Sequence, residues 1–437
     1  MKESRRSFLT RGAAAAGALA VNPFTAESLA ASPSVRFGKG LEDAQERANL
    51  QSRPSDLQVT DVTVGFLRGN RMLVKVSTNQ DIHGYGEGVD AVSGTGDLAR
   101  NLGRRLRGRD PLNVHRAFED LRRGGVFAGA QGGAFVAVLS ALETALWDLS
   151  GKALGIPVYQ LLGGKFRDRV RVYCDTALYQ VRNPTPEQMA DSALETLALG
   201  FNAIKFDLDQ GGDPNKYDQY NWTASPAEIQ RMVDQMTAVR EVLGPNIDIC
   251  ADMHGRYDLV TGHQVAKRLE PIQMMFLEEP IPAENIEAYR RISEETTTPI
   301  CGGENFYLAH GFREALEKNA VDIVMPDMQK VGGLGEGQRI ANLANLYYTP
   351  FAPHMVASYL GAMASAHVCA SVPNFLALEW QIYYHTDPSW EEIVTYEGEA
   401  MVVDGYLPVS NAPGIGVDLN EEALLQFAPD GASSFFG

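Results

Sequence analysis

A chain of 437 residues with 45% hydrophobic side chains is long enough for one large barrel domain and a smaller companion, and this composition excludes a mostly disordered protein. Its 38 basic residues against 55 acidic ones leave a formal charge of -17, which speaks against a nucleic-acid partner and fits a soluble acidic protein. The charge says little about the substrate, because a bound metal inverts the local field.

From Ser4 the chain reads "SRRSFLTRGAAAAGALAV", in which Arg5 and Arg6 precede Phe8, Leu9 and a short Ala-rich run. That run is too short to span a bilayer and resembles a twin-arginine export signal, with a small-residue cleavage site near Ala30. The expectation is a signal peptide over 1–30 and a periplasmic mature protein that meets no membrane once the signal is removed. A polar stretch without periodicity over 31–55 reads as a linker. Cys174, Cys250, Cys301 and Cys369 lie inside apolar runs without paired spacing and read as small buried residues, not as disulfides or a zinc site.

From Leu57 to Leu67 and from Arg71 to Thr78 the alternation is strand-like, and "HGYGEG" reads as a glycine-rich turn. Helical stretches follow, the clearest being "GGAFVAVLSALETALWDLSGKALG", whose apolar residues recur at three and four. This α+β unit, residues 56–165, is expected to cap the rest, closing over it with the turns near Gly84 to Asp90 and Gly124 to Gly133.

Beyond Val170 the texture changes to short apolar runs that each end in a polar residue and each precede a helix-like segment. The runs are "VRVYCD", "AIKFD", "IDICADMH", "MMFLEEP", "PICGGEN", "DIVMPD", "PFAPH" and "FLALEW". Asp252 to Glu278 spans 26 residues, Glu278 to Glu304 spans 26, Glu304 to Asp327 spans 23, and Asp327 to His354 spans 27. A period near 25 is one strand plus one helix, so the fold class is α/β, a (β/α)7–8 TIM-like barrel over 166–385. Residues 386–437 are expected to return to the cap. Lys205 to Asp252 is longer, 47 residues, because a polar loop is inserted after the second strand. Its Tyr217, Tyr220 and Trp222 make it a candidate lid, with a plain surface excursion as the alternative.

Barrel active sites collect at the C-terminal strand ends, where Asp252, Glu278 and Glu304 close three successive strands. Three convergent carboxylates repel one another unless a hard divalent cation neutralises them, and oxygen-only ligands point to Mg2+. Asp327 and His354 stand on the next two strands, where the aspartate can fix the imidazole tautomer and make His354 a general base. Lys205 and Lys330 can place ammonium groups beside an anion that forms at the metal.

The words "ALETALWDLSGKALGIPVYQLLGGKFRDRVRVY", "GFNAIKF", "FLEEP", "PICGGENF", "VMPDMQKVGG" and "APH" resemble the enolase superfamily, and within it the mandelate racemase-like group, over nearly all of 57–420. The resemblance implies that Asp252, Glu278 and Glu304 bind Mg2+, that Asp327 and His354 form the Asp-His dyad, and that Glu379 is the acid near the substrate on the eighth strand. In "LEEP" the family's ligand is the first acid, which leaves Glu279 outside the ligand set. It also implies a shared first step, removal of the proton α to a metal-bound carboxylate, and a homo-oligomer.

Two departures narrow the outcome of that step. Racemases of the group carry Lys-x-Lys on the second strand, whereas this chain has Lys205-Phe206-Asp207; Asp207 faces the substrate, but an unperturbed aspartate is a weak base for an α-proton. His254 stands two residues after Asp252, and this Asp-x-His resembles the acid-sugar dehydratases of galactonate and mannonate type, where the extra histidine protonates the departing 3-hydroxyl. The expectation is an Mg2+-dependent dehydratase of an aldonate-type sugar acid, with His354 as base and His254 as acid. Tyr217 and Trp222 of the inserted loop, together with Asp207 and Lys330, are the expected substrate contacts. The alternatives are a cycloisomerase or epimerase, and a barrel that binds a carboxylate without turnover.

Overall fold

A computed structural model describes residues 56–437 apart from 177, 179–180, 211, 219, 397–401, 429–431 and 437. The expected signal peptide and linker lie outside the described residues.

Strands β1 (Val59–Leu67), β2 (Arg71–Thr78) and β3 (His83–Gly88) form an antiparallel sheet in that order. On β1 Val59, Val62, Val64 and Leu67 are buried and Thr60 and Phe66 are exposed, with a register shift between Val59 and Asp61 that breaks the simple alternation. The "HGYGEG" segment, expected as a turn, is β3 itself. Its glycines serve packing: helix α3 (Gly133–Leu154) lies so close that a Cβ at Gly84 would stand 2.1 Å from the Ala145 carbonyl oxygen, and one at Gly86 1.9 Å from that of Ala141. Helix α3 is long and apolar enough to cross a membrane, but it is buried in the protein as a core helix. Helices α1 (Thr95–Arg104) and α2 (Val114–Gly124) complete this part.

The barrel strands are β4 (Arg169–Asp175), β5 (Ala203–Asp207), β6 (Asp248–Asp252), β7 (Phe276–Glu278), β8 (Ile300–Gly302), β9 (Ile323–Val324) and β10 (Leu378–Gln381), with β10 paired in parallel to β4. Between β9 and β10 the expected strand "PFAPH" is reduced to isolated parallel bridges of Phe351 with Val324 and Phe375. Pro350 and Pro353 flank it, and proline donates nothing to a ladder. Among the described residues, then, seven βα units lead to an eighth strand.

The intervening helices are α4 (Pro186–Ala198), α5 (Pro226–Leu243), α6 (Leu259–Arg268), α7 (Ile286–Glu295), α8 (Leu308–Glu317), α9 (Leu334–Leu346) and α10 (Tyr359–Ser371). Two of them begin with a capping residue and a proline, Thr185-Pro186 and Ser225-Pro226, whose hydroxyls accept from the Gln188 and Glu228 amides. Cap carboxylates serve two others. Glu143 of α3 accepts from the Leu334 and Gly335 amides at the start of α9, and Glu87 of β3 accepts from the Ser358 amide and hydroxyl and the Gly361 amide at the start of α10. These bonds tie the cap to the loops that carry Lys330 and His354.

Inside the barrel the period of two separates two layers. Tyr173, Ala203, Cys250, Phe276 and Cys301 form an apolar floor. Two residues further along their strands come Asp175, Lys205, Asp252 and Glu278. All four cysteines are free and buried. In the C-terminal part, β12 (Tyr406–Pro408) pairs antiparallel with β4, β11 (Val394–Tyr396) pairs with β13 (Val417–Leu419), and Phe436 stacks on Tyr85 of β3.

Candidate active site

Parallel register sets Asp207, Asp252 and Glu278 side by side on β5, β6 and β7. Below them Lys205, almost wholly buried, places Nζ 3.1 Å from Asp252 Oδ2, 3.3 Å from Glu278 Oε2 and 2.7 Å from Glu379 Oε1. Burial opposes a charge on this lysine, but the three carboxylates outweigh it and raise the ammonium above its ordinary range. Burial likewise pushes Glu278 well up, whereas in Asp252 the His254 and Lys205 charges win over burial and hold the carboxyl down at about 2.

His354 Nδ1 lies 2.7 Å from Asp327 Oδ2, the expected dyad, and its Nε2 lies 3.1 Å from Glu304 Oε2 and 3.6 Å from Glu379 Oε2. Burial alone would lower the imidazole; Glu379, Glu304 and Asp327 hold it well above its ordinary value. Bonding of Nδ1–H to Asp327 leaves Nε2 as the atom that faces the acids.

His254 is held in a left-handed conformation, φ 49°, by a turn in which its amide donates to Asp252 Oδ1 at 2.7 Å. Its Nδ1 meets Asp209 Oδ1 at 2.9 Å, and Arg256 Nη1 meets the other oxygen of Asp209 at 2.7 Å. The Asp252 carboxylate, helped by Asp209, pushes the imidazole up to about 12. Asp209 and Arg256 escaped the sequence reading, although each stands two residues beyond a chosen residue, Asp207 and His254. Asp175 escaped it as well. Its Oδ1 and that of Asp207 are buried without hydrogen-bond partners. Burial pushes Asp207 up to about 6, so this aspartate is not the unperturbed one assumed from the sequence.

A cavity of about 730 Å³ opens over these strand ends, lined by Asp175, Asp207, Asp209 and His254 and, from the cap and C-terminal part, by Arg68, Arg71 and Asp387. Lys330 is buried beside it, with Nζ 2.8 Å from Asp90 Oδ2 and 3.0 Å from Asn305 Oδ1, and Asn305 donates to Glu279 and Glu304. Glu279 is pushed up to about 8 by burial and by Glu304.

Tyr217 and Trp222 are not brought to the cavity; their exposures are 60% and 51%. The Trp222 carbonyl accepts from the Asp258 amide, and the Ala224 amide donates to Thr261, so the second half of the inserted loop is pinned to the start of α6. The loop reaches the cavity through Asp209 and Gln210 instead. Val89 and Asp90 of the cap line it, while the 124–133 stretch contributes no lining residue among those described, and Phe127 at its tip is fully exposed.

This constellation can be set beside known proteins. Residues 188–423 match the family described as enolase C-terminal domain-like, and residues 48–163 match the mandelate racemase / muconate lactonizing enzyme N-terminal domain. The chain belongs to the enolase superfamily. Among its relatives there, the D-xylonate dehydratase of Haloferax volcanii is 37% identical over 385 residues, 87% of this chain and 91% of that protein. A D-galactonate dehydratase of Pectobacterium atrosepticum is 29% identical over 374 residues, covering 85% and 94%. A mandelate racemase/muconate lactonizing enzyme-like protein from Rubrobacter xylanophilus superposes with a TM-score of 0.83 at 42% identity, over 87% of this chain and all of that one.

Enolase-superfamily members usually bind a divalent metal, and the residues here fit one. Two groups bring candidate ligand atoms within 4.8 Å of one another: Glu278, Glu304 and His354, and Asp207, Asp252 and His254. The three acids expected as one ligand set thus fall in two groups, and the Lys205 ammonium contacts both Asp252 and Glu278. Glu278 Oε1 is buried without a hydrogen-bond partner, an orphan that a hard cation would satisfy.

Proposed function

We propose that this enzyme is a Mg2+-dependent hydro-lyase that converts an aldonate-type sugar acid to its 2-keto-3-deoxy acid. The observation that carries this reading is the pair of His–Asp contacts, His354–Asp327 and His254–Asp209, facing one acidic cluster from two strand ends. The D-xylonate and D-galactonate dehydratases among the relatives support the substrate class.

Asp252, Glu278 and Glu304 would hold the Mg2+, which when bound supplies positive charge against the negative charge that develops on the substrate carboxylate. His354 Nε2 takes the proton from C2, with Asp327 fixing the ring. Lys205 keeps an ammonium beside the same carboxylate and orients Glu379. His254 gives its proton to the 3-hydroxyl as the C3–O bond breaks, so the group departs as water. The resulting enol takes a proton at C3 and becomes the 2-keto acid.

A second reading, epimerisation, is favoured by the position of Asp207, which stands beside Asp252 with its Oδ1 buried and unpartnered and whose carboxyl burial raises, so that it could serve as a second base. The two readings part on product. Incubation with Mg2+ and a panel of aldonates, followed by semicarbazide detection of 2-keto acids, tests dehydration; silence on every aldonate with exchange of the α-proton favours epimerisation.

We also propose twin-arginine export, on the strength of Arg5, Arg6 and the Ala-rich run, and assembly as a homo-oligomer. Periplasmic fractionation with and without Arg5→Lys/Arg6→Lys tests the first, and light scattering tests the second.

A further inference from the structure

The cavity has a floor and a mouth. On the floor the Oδ1 atoms of Asp175 and Asp207 are buried beside the metal-capable acids. At the mouth stand Arg68 from the turn between β1 and β2, Arg256 after β6, and Asp387 from the C-terminal part, their side chains 50%, 62% and 38% exposed. Arg68 and Asp387 line the same cavity as Asp175 and Asp207, so a substrate whose carboxylate is held at the floor can present its far end to them.

Each arginine of the lining is already engaged. Arg68 donates to Asp387 and, at 2.9 Å, to Ser389 Oγ, and its guanidinium lies 5.1 Å from the centre of the Trp390 ring and 5.0 Å from that of Phe427. Arg256 is paired with Asp209. Arg71 donates through Nε to the Val356 carbonyl at 2.6 Å, through Nη1 to the Arg68 carbonyl at 3.0 Å, and through Nη2 to the Tyr383 hydroxyl. Five aspartates line the cavity against these three arginines, and each arginine already has a carboxylate or carbonyl partner. A second carboxylate on the substrate would meet like charge and no unengaged guanidinium. A hydroxylated end would meet the Asp387 carboxylate as an acceptor and the Gln210 and Gln381 amides at the wall.

We infer that the Arg68–Asp387 pair is a specificity determinant, selecting a monocarboxylate sugar acid with a neutral, hydroxylated far end over the dicarboxylate of the same skeleton. Rejection arises because Asp387 engages Arg68 as Asp209 engages Arg256, so that neither cation at the mouth is open to a terminal carboxylate. The inference rests on the dehydratase reading only in taking the substrate carboxylate to lie at the floor.

The test is calorimetric binding, in Mg2+, of five- and six-carbon aldonates and of the aldarates made by oxidising the terminal carbon of each. The best-bound aldonate should bind at least about tenfold more tightly than its aldarate. Asp387→Asn frees the Arg68 charge and should narrow that ratio several-fold, and adding Arg68→Gln to it should widen the ratio again. Equal affinities in the unaltered protein, no binding of any aldonate, or an unchanged ratio in Asp387→Asn would overturn the inference. A protein that shows the ratio yet forms no keto acid would refute the dehydratase reading and leave the selection standing. Formation of keto acid from aldarates as fast as from aldonates would do the reverse.

Discussion

The 2.9 Å contact between His254 Nδ1 and Asp209 Oδ1, at the cavity wall, repeats at the buried acids as the 2.7 Å contact between His354 Nδ1 and Asp327 Oδ2. In both, the aspartate holds one ring nitrogen and directs the other toward the acid cluster. The surroundings differ: the His354 side chain is 8% exposed and the His254 side chain 36%. A base that must hold a substrate proton suits the closed position, and an acid that must be reprotonated from solvent suits the open one.

His254→Asn should therefore keep exchange of the C2 proton with solvent within a few-fold of the unaltered enzyme while slowing loss of the 3-hydroxyl about 100-fold or more. His354→Asn should reduce both together. Deuterium uptake at C2 and keto-acid formation, followed in one reaction, separate these outcomes; equal loss of both in His254→Asn would remove that histidine from the acid role.

Metal dependence can be read without turnover. Carboxylates crowded around one ammonium gain from a divalent cation, and at 100 times its Kd such a ligand stabilises the fold by about 2.7 kcal/mol. Added MgCl2 should raise Tm after EDTA treatment, and Glu278→Gln, which removes the acid bearing the orphan oxygen, should flatten that rise. An equal rise in the variant would place the cation elsewhere.

Gly86 tests the strand reading of "HGYGEG". A Cβ there would stand 1.9 Å from the Ala141 carbonyl oxygen, a backbone atom that no rotamer change can move aside. Gly86→Ala should cost about 1–3 kcal/mol in urea unfolding. A cost below a few tenths would mean that α3 is free to move off the sheet.

His367 should make stability depend on pH. It is fully buried, Nδ1 accepts from the Tyr159 amide and Nε2 donates to the Ile415 carbonyl, and burial pushes the imidazole down to about 4. The unfolded chain, with an ordinary value near 6.5, binds a proton before the folded one does. The contribution is thus fully present above pH 6.5 and is lost as pH falls toward 4, a change of about 3 kcal/mol. Urea unfolding of the unaltered protein and of His367→Gln at pH 7, 5.5 and 4 should give curves that converge on acidification. Parallel curves would contradict the assignment.

The ring of strands was legible because polar residues recur near every 25 positions: Asp252 and Glu278 end their strands, Glu304 and Asp327 follow theirs by two and three residues, and Glu379 stands inside β10. Spacing foresaw Asp252 and Glu278 on adjacent strands, and strand pairing adds Asp207 beside Asp252. The features that stayed hidden depend on loops and on contacts far apart in sequence. Asp209 becomes a partner of His254 only because β5 and β6 are adjacent, and Glu87 becomes a cap for α10 only because β3 packs 271 residues away from Ser358. The aromatic content of the inserted loop suggested a lid, but hydrogen bonds from its backbone to the start of α6 decide where Tyr217 and Trp222 go. The glycines of β3 misled because a turn and a close helix contact demand the same residue.

The most direct measurement is proton NMR in D2O on the Mg2+-loaded enzyme with the best-bound aldonate. Dehydration gives loss of the C2 proton together with a new C3 methylene carrying one deuterium and release of the 3-hydroxyl. Loss of the C2 proton with the C3 proton and its hydroxyl retained, on every aldonate bound, would contradict the assignment as a dehydratase.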